Sequence, residues 1–313
     1  MSYNKENQTT VCKECGKSHE SLRSLHAHLK IHKTFMGDYY VKHFPRKSVY
    51  TGDLLPFKSL DQYMSSYFAN PKEEEAWLKE APLERIKKYC LIQYQEYKKI
   101  KNKKSAPYYN EVATRKLPSV ETCAKAFGSY GLFCKSLGLE PTFKKGLTKD
   151  FWTADTSALR VMIDTREQQP FVIENSFKSK IDVGDYAATG DHYDYTYVDR
   201  KAQGDFISTL SKSSFERFRR EMERCRNLDV QLYIVVEGSI EDIRNRKAYK
   251  RNQASVEHTF HNMRLIQEEF SDVCQFVFAR DRDDAADITK RILFFGKKIW
   301  GVDMQYYVNN RKF

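Results

Sequence analysis

The chain has 313 residues, 41% hydrophobic and 14% aromatic, which is enough for two or three packed domains and too apolar for a mainly disordered protein. No apolar run reaches 18 residues, and the first ten residues, MSYNKENQTT, contain no apolar stretch, so neither a membrane span nor a secretory signal is expected and the protein is placed in the cytoplasm or with the nucleoid. The net charge of +11 is uneven: residues 1–150 hold 27 Lys and Arg against 16 Asp and Glu, while residues 151–313 hold 26 of each, so a polyanion is expected to meet the first half.

The first patterned segment is Cys12-x2-Cys15-x12-His28-x3-His32. Two thiolates from a turn and two imidazoles one helical turn apart are the ligand set of a closed, tetrahedral, structural Zn²⁺ site, and they define a zinc finger over 10–33. Leu25 takes the apolar position three before His28. The Phe usual four residues after the second Cys is His19 here, which thins the small core and leaves His19 and His26 as spare imidazoles. The helix positions that touch bases in such fingers fall on Ser21, Ser24 and Ala27, none a strong base reader, so the finger is expected to touch backbone, with Arg23 and Lys30 reaching phosphates. The other cysteines, Cys90, Cys123, Cys134, Cys225 and Cys274, are scattered and read as core thiols of a reducing compartment.

Residues 34–145 read as a basic, mainly helical DNA-binding region. Tyr39-Tyr40-Val41 and Val49-Tyr50 are apolar patches around Pro45-Arg46-Lys47. A helix is expected from Asp61 to Phe68, broken at Asn70-Pro71, then a short acidic helix from Glu73 to Leu78. Leu83 to Ile100 is a longer helix with Leu83, Ile86, Leu91, Tyr94 and Tyr97 on one face. Its tail carries Lys98, Lys99, Lys101, Lys103 and Lys104, read as a phosphate clamp in preference to a solvated linker. Within 114–143, Ser119 is placed as an N-cap, Phe127-Gly128-Ser129-Tyr130 as a turn, and Leu132 to Leu137 as a second helix closed by Gly138. The pattern P-S…FGSY…LGL resembles the small repeat associated with homing endonucleases, in which the aromatic after FGS is usually Trp. That resemblance implies DNA contact, with Lys116, Lys125 and Lys135 facing the duplex, and a defined duplex site.

Residues 146–157 read as a linker, and 158–313 as an α/β domain. Strands are expected at Leu159 to Asp164, Ile181 to Val183, Tyr193 to Val198, Val230 to Glu237 and Val273 to Phe278. Helices are expected at Gly204 to Leu210, Phe215 to Arg226, Ser255 to Phe270 and Asp283 to Phe295, giving three layers. Gly184-Asp185 and Asp199-Arg200-Lys201 each follow an apolar run, so Asp185, Asp199 and Lys201 are expected to converge at one sheet edge. Two carboxylates able to hold Mg²⁺ and a lysine able to meet developing charge suit phosphodiester hydrolysis.

The set Gly184-Asp185, Asp199-Arg200-Lys201 and Asp205 resembles the signature of XPF-type structure-specific nucleases, GD…ERKxxxD, within the broader PD-(D/E)xK pattern of restriction-endonuclease-like folds. Ile163-Asp164-Thr165-Arg166-Glu167 is similar to the family's first-strand DxRE. Ser211 and the run Phe215 to Glu221 are similar to its helical Ser and Arg-rich segment. The resemblance spans roughly 158–295 and departs at Asp199, where the family has Glu. It implies a metal-dependent DNA endonuclease with Asp164, Asp185, Asp199 and Lys201 catalytic. Mg²⁺ (or Mn²⁺) would sit on Asp164, Asp185 and Asp199, with Arg166, Glu167 and Asp205 in support. Arg217, Arg220 and the lysines Lys101, Lys103, Lys104, Lys116 and Lys125 would hold DNA, and a homodimer through this domain is a further expectation. In this family a helix-hairpin-helix module commonly follows the nuclease domain. The chain stops at Phe313, so the basic first half is expected to take that role. A phage or mobile-element enzyme acting on branched DNA or a defined site fits these features. The alternative is a zinc-finger DNA-binding regulator with an inactive nuclease fold, against which the complete acidic set argues; RNA as substrate shares the same phosphate chemistry.

Overall fold

The zinc-finger segment begins with a hairpin, β1 (Thr10–Val11) against β2 (Ser18–His19), whose turn uses Gly16 at φ +76°. Helix α1 (Leu22–His28) follows, with the Ser21 hydroxyl accepting from the Ser24 amide, and a 3₁₀ turn at Leu29–His32 carries the chain to α2 (Met36–His43). This is a computed structural model, and it describes residues 10–48, 52, 54–55, 68, 71–101, 104–245 and 253–311. The first nine residues, the patch at Val49-Tyr50, all of the helix expected from Asp61 to Phe68 except Phe68, and Lys103 lie outside the described residues, as does the side chain of Lys101.

Two compact units divide the chain, Met1–Ile86 and Lys87–Phe313. In the first, α2 refills the thin core of the finger: Tyr39 and Tyr40 are buried with Cys12, Leu25 and Leu29. The Tyr39 hydroxyl accepts from the Lys13 amide at 2.8 Å, and Glu14, between the two cysteines, meets Lys42 and His43 of α2. Helix α3 (Pro71–Glu80) starts at the proline that was expected only to break a helix, since proline's missing N–H costs nothing in a first turn.

The unit boundary falls inside α4 (Leu83–Lys101). Its seam is Ile86, Cys90, Tyr94 and Tyr97, while Leu83, expected on that face, is 45% exposed. Short helices α5 (Tyr109–Arg115), α6 (Val120–Phe127) and α7 (Tyr130–Ser136) follow. The last two form the expected helix, glycine turn, helix: Ser119 and Ser129 cap them, and Gly128 and Gly138 take positive φ. Lys98 donates to the Leu137 carbonyl at 2.6 Å, so this member of the lysine run closes a helix end and is not a free phosphate contact. The stretch expected as a linker is packed: Phe151 is 0% exposed, and Arg291 donates to its carbonyl at 2.7 Å.

The later apolar runs become one sheet of β3 (Val161–Asp164), β4 (Ser176–Ser179), β5 (Tyr186–Ala188), β6 (Thr196–Ala202), β7 (Gln231–Glu237) and β8 (Cys274–Ala279), in the order β4-β3-β5-β6-β7-β8. β6, β7 and β8 run parallel, and β5 is antiparallel to both neighbours. Helices α8 (Gln203–Thr209), α9 (Phe215–Asn227), α10 (Ile240–Asn245) and α11 (Gln253–Glu269) carry side chains of one core, with Leu232, Ile234 and Val236. Helix α12 (Arg282–Phe295) carries those of the other, with Tyr233, Val235 and Val277. The strict alternation along β7 is what a strand buried on both faces requires. Helix α13 (Met304–Asn309) packs beside β8, and the Gln305 side chain pairs with both the amide and the carbonyl of Phe278, at 2.6 and 3.0 Å. Asn110 of α5 likewise donates to the Phe276 carbonyl at 2.8 Å.

Candidate active site

Two of the expected strand positions shift, and the shift assembles the site. Ile181 to Val183 is irregular, and Asp185 stands just before β5 instead of after a strand. Asp199, Arg200 and Lys201 lie within β6, not beyond its end. Because β5 and β6 are antiparallel with Tyr186 opposite Val198, the beginning of one lies beside the middle of the other. Gly184 makes the approach close: at φ +66°, a Cβ there would lie 2.8 Å from the Val198 carbonyl oxygen. The Asp185 amide donates to that oxygen at 2.8 Å, and Asp185 Oδ2 accepts from the Arg200 amide at 2.8 Å.

The period of two splits Asp199-Arg200-Lys201 across the sheet. Asp199 and Lys201 face the side of α9, where Lys201 Nζ meets Asp199 at 2.6 Å. Arg200 points to the opposite face, buried, and binds Glu167 at 3.1 Å and Glu237 at 2.9 Å; Arg282 completes the network on Glu237. Glu167 therefore has a structural role, locking the strand that presents Asp199 and Lys201.

Asp185, Asp199 and Lys201 line one open cavity of about 580 Å³. Its other wall is α9, which contributes Arg217, Arg220, Glu221 and Arg224. Burial, and then the neighbouring Asp199 carboxylate, push Asp185 up to about 8. The same two causes raise Glu221. Burial would lower Lys201, but Asp199 and Asp185 outweigh it and hold the ammonium above its ordinary value.

Asp164 does not join the pair. Its carboxylate accepts from the Arg166 amide and guanidinium and from the Ile181 amide, at 2.7 to 3.1 Å, and Arg166 holds it down at about 2. It is 1% exposed and absent from the cavity wall, so the three carboxylates expected to share a metal do not converge. What Asp164 does is anchor Arg166, which lines the cavity. Asp205 is exposed in the first turn of α8 and also stands off the cavity.

Of the residues expected to hold DNA, Arg217 and Arg220 line the cavity. Arg219 and Arg226 are drawn away by Glu269 and Asp272. Lys104, Lys116 and Lys125 are exposed and off the cavity wall, Lys116 lying 3.9 Å from Glu257, and Arg23 and Lys30 are exposed on the finger. Arg224, expected with Arg217, Arg219, Arg220 and Arg226 as a phosphate clamp, and Glu221, the end of the Arg-rich run, line the cavity as well. Helical spacing brings them there: Arg217, Glu221 and Arg224 share one face of α9 while Phe218, Met222 and Cys225 are buried on another.

At the finger, Cys12 Sγ lies 3.6 Å from His32 Nε2, Cys15 Sγ 3.2 Å from His28 Nε2, and the two imidazole nitrogens 3.1 Å apart. These four ligand atoms all fall within 4.8 Å of one another, and among the described residues they are the one converging group of three or more metal-ligand side chains. Zn²⁺ bonds of about 2.0 to 2.3 Å fit such a set. Ser21 and Ser24, two of the base-reading positions, are engaged within the finger, Ser21 as the α1 cap and Ser24 with His19.

Compared with known families, residues 129–292 match the ERCC4 domain. Two solved structures resemble the chain. XPF from Aeropyrum pernix in complex with DNA is 20% identical, with a TM-score of 0.35, over 45% of this chain and 66% of that one. XPF from Aeropyrum pernix is 18% identical, with a TM-score of 0.34, over 47% and 69%. The chain thus spans about two thirds of the length of each. No curated protein matches. Among the described residues no helix is long and apolar enough to cross a membrane.

Proposed function

The chain belongs to the ERCC4 domain family, the XPF-type nucleases, and from that premise we propose that it is a DNA endonuclease in which Asp185 and Asp199 hold Mg²⁺ or Mn²⁺ and Lys201 serves the reacting phosphate. One observation carries this reading: Asp185, Asp199 and Lys201 meet in one cavity whose far wall is lined by Arg217, Arg220 and Arg224. The residues fit a divalent cation. Burial and the neighbouring Asp199 carboxylate push Asp185 up to about 8, a cost that a cation between the two acids offsets. When bound, such an ion polarises the phosphate and lowers the pKa of a water. Lys201, charged and fixed by Asp199, stands ready to offset charge gathering on phosphate oxygens. The α9 arginines hold the flanking phosphates by charge-assisted hydrogen bonds. Asp164 serves indirectly, by holding Arg166 at the cavity.

The substrate we infer is branched DNA, supported by the small base-facing side chains of the finger and the internal bonds of Ser21 and Ser24. A free-standing enzyme of phage or mobile-element type suits one chain that carries a finger, basic helices and a nuclease sheet. The test is a panel of duplex, flap, fork, four-way junction, single strand and RNA, with Mg²⁺ and with EDTA. Cleavage of the branched forms with Mg²⁺ alone is expected. Asp185→Asn should lower the rate by about a thousandfold or more while DNA binding stays equal or slightly tighter, because a carboxylate facing phosphate is removed. Wild-type rates in that variant would refute the assignment. Sedimentation of the free chain tests the homodimer.

A further inference from the structure

A second cavity, of about 370 Å³, lies within the Lys87–Phe313 unit and away from the carboxylates. The segment before α5, the α6–α7 hairpin and α13 surround it. Tyr109, Tyr130, Phe143, Tyr306 and Tyr307 line it, and each is partly accessible. Tyr109 and Tyr306 stand 6.1 Å apart, and Tyr306 and Tyr307 5.1 Å, so the rings already form a wall. Acceptors sit among them. Asp303 takes the Tyr109 amide at 2.8 Å and the Tyr306 amide at 3.4 Å, and no cation pairs with it among the described residues; Glu121 lies at the rim. Lys145 also lines the opening. The segment that supplies most of this cavity, residues 87–150, holds 14 Lys and Arg against 5 Asp and Glu.

We propose that this cavity receives one unpaired nucleobase of the DNA substrate, stacked on the Tyr306 and Tyr109 rings, with Asp303 and Glu121 accepting from its N–H groups and Lys145 meeting the adjacent phosphate. The proposal rests on the reading of DNA as substrate. Its chemistry is that of single-strand recognition. Every base has a π-face that stacks on an aromatic ring, and every base freed from its partner exposes N–H donors on its pairing edge. A single lysine at the opening, Lys145, beside an aromatic interior matches a nucleotide's two halves, and the volume exceeds what one base fills. A single base held here would fix the distance between a branch point and the carboxylates, and so help choose which phosphate is cut.

The experiment is a binding scan in EDTA, where no cleavage intervenes. The full chain is titrated with a flap oligonucleotide in which one unpaired nucleotide at a time is made abasic. One position should weaken binding by about tenfold, the order expected from losing one stacked base. Tyr306→Ala should weaken the intact flap by a similar factor and flatten the scan, because the base no longer has a seat. Tyr306→Phe, which keeps the ring, should restore it, and it guards against a mere folding defect in the alanine variant. A flat scan in the unmodified chain, or an unchanged scan in Tyr306→Ala, overturns the proposal while leaving the nuclease reading intact. Failure to bind any DNA sinks both.

Discussion

Single residues decide whether the two carboxylates meet. Gly184 has no room for a methyl group beside the Val198 carbonyl, and its φ of +66° strains any other residue. Gly184→Ala should therefore displace Asp185 and cut activity by at least about tenfold, although no functional group is lost. Circular dichroism should stay native in that variant, and steady-state rates read the loss. Asp303 gives a pH test. Burial raises it to about 6, above its ordinary 3.8, so the fold favours the neutral form. Its contribution to stability is complete below about pH 4 and is lost as the pH rises through 6. Asp303→Asn keeps an acceptor for the Tyr109 amide and removes the ionisation. The variant should melt a few degrees above the parent at pH 7.5 and gain nothing at pH 4. An equal gain at both pH values would mean that ionisation is not the cause.

Elements carry the parts of the design that pattern alone reveals unevenly. The ligand spacing of the finger was legible in full, because a metal demands fixed residue types at fixed intervals. Its core was not, since Tyr39 and Tyr40 come from α2, beyond the finger itself. Tyr39→Ala should remove about 3 kcal/mol of packing and the acceptor for the Lys13 amide. Zinc should then be lost to a chelator that leaves the parent, at about one Zn per chain, untouched. The acid-lysine constellation was legible as a set, yet the strands around it were misplaced. Ile181 to Val183 has the apolar look of a strand but leads into Gly184, while β5 is only three residues long. Strand β4, SFKS, has no apolar run at all and is held by pairing to β3. Asp164 reads as a ligand by its type and place; the geometry adds that its carboxylate accepts from Arg166 and Ile181 and stands off the cavity wall.

At the scale of the whole molecule, the charge divides differently from the halves of the sequence. Residues 1–80 hold 12 Lys and Arg against 10 Asp and Glu, whereas 81–150 hold 15 against 6. The basic excess therefore belongs mainly to the helices that share a unit with the sheet. Removing residues 1–80 should leave most of the affinity for DNA and nearly the full salt slope, measured by titration over a salt series. A collapse of the slope would return the DNA-holding role to the finger. Cutting at 150 is a different operation, since it strips α5 from β8 and takes away the Asn110 bond. That bond and the Gln305 pair have a wider consequence. The last strand of a sheet ordinarily offers its backbone to any passing chain, the route by which sheets add foreign strands and aggregate. Here two side-chain amides imitate the missing neighbour, so the sheet ends at β8 by chemistry as well as by sequence. What remains open to strand addition is β4, four residues long and carrying Lys178, a margin too short and too charged to seed a fibre.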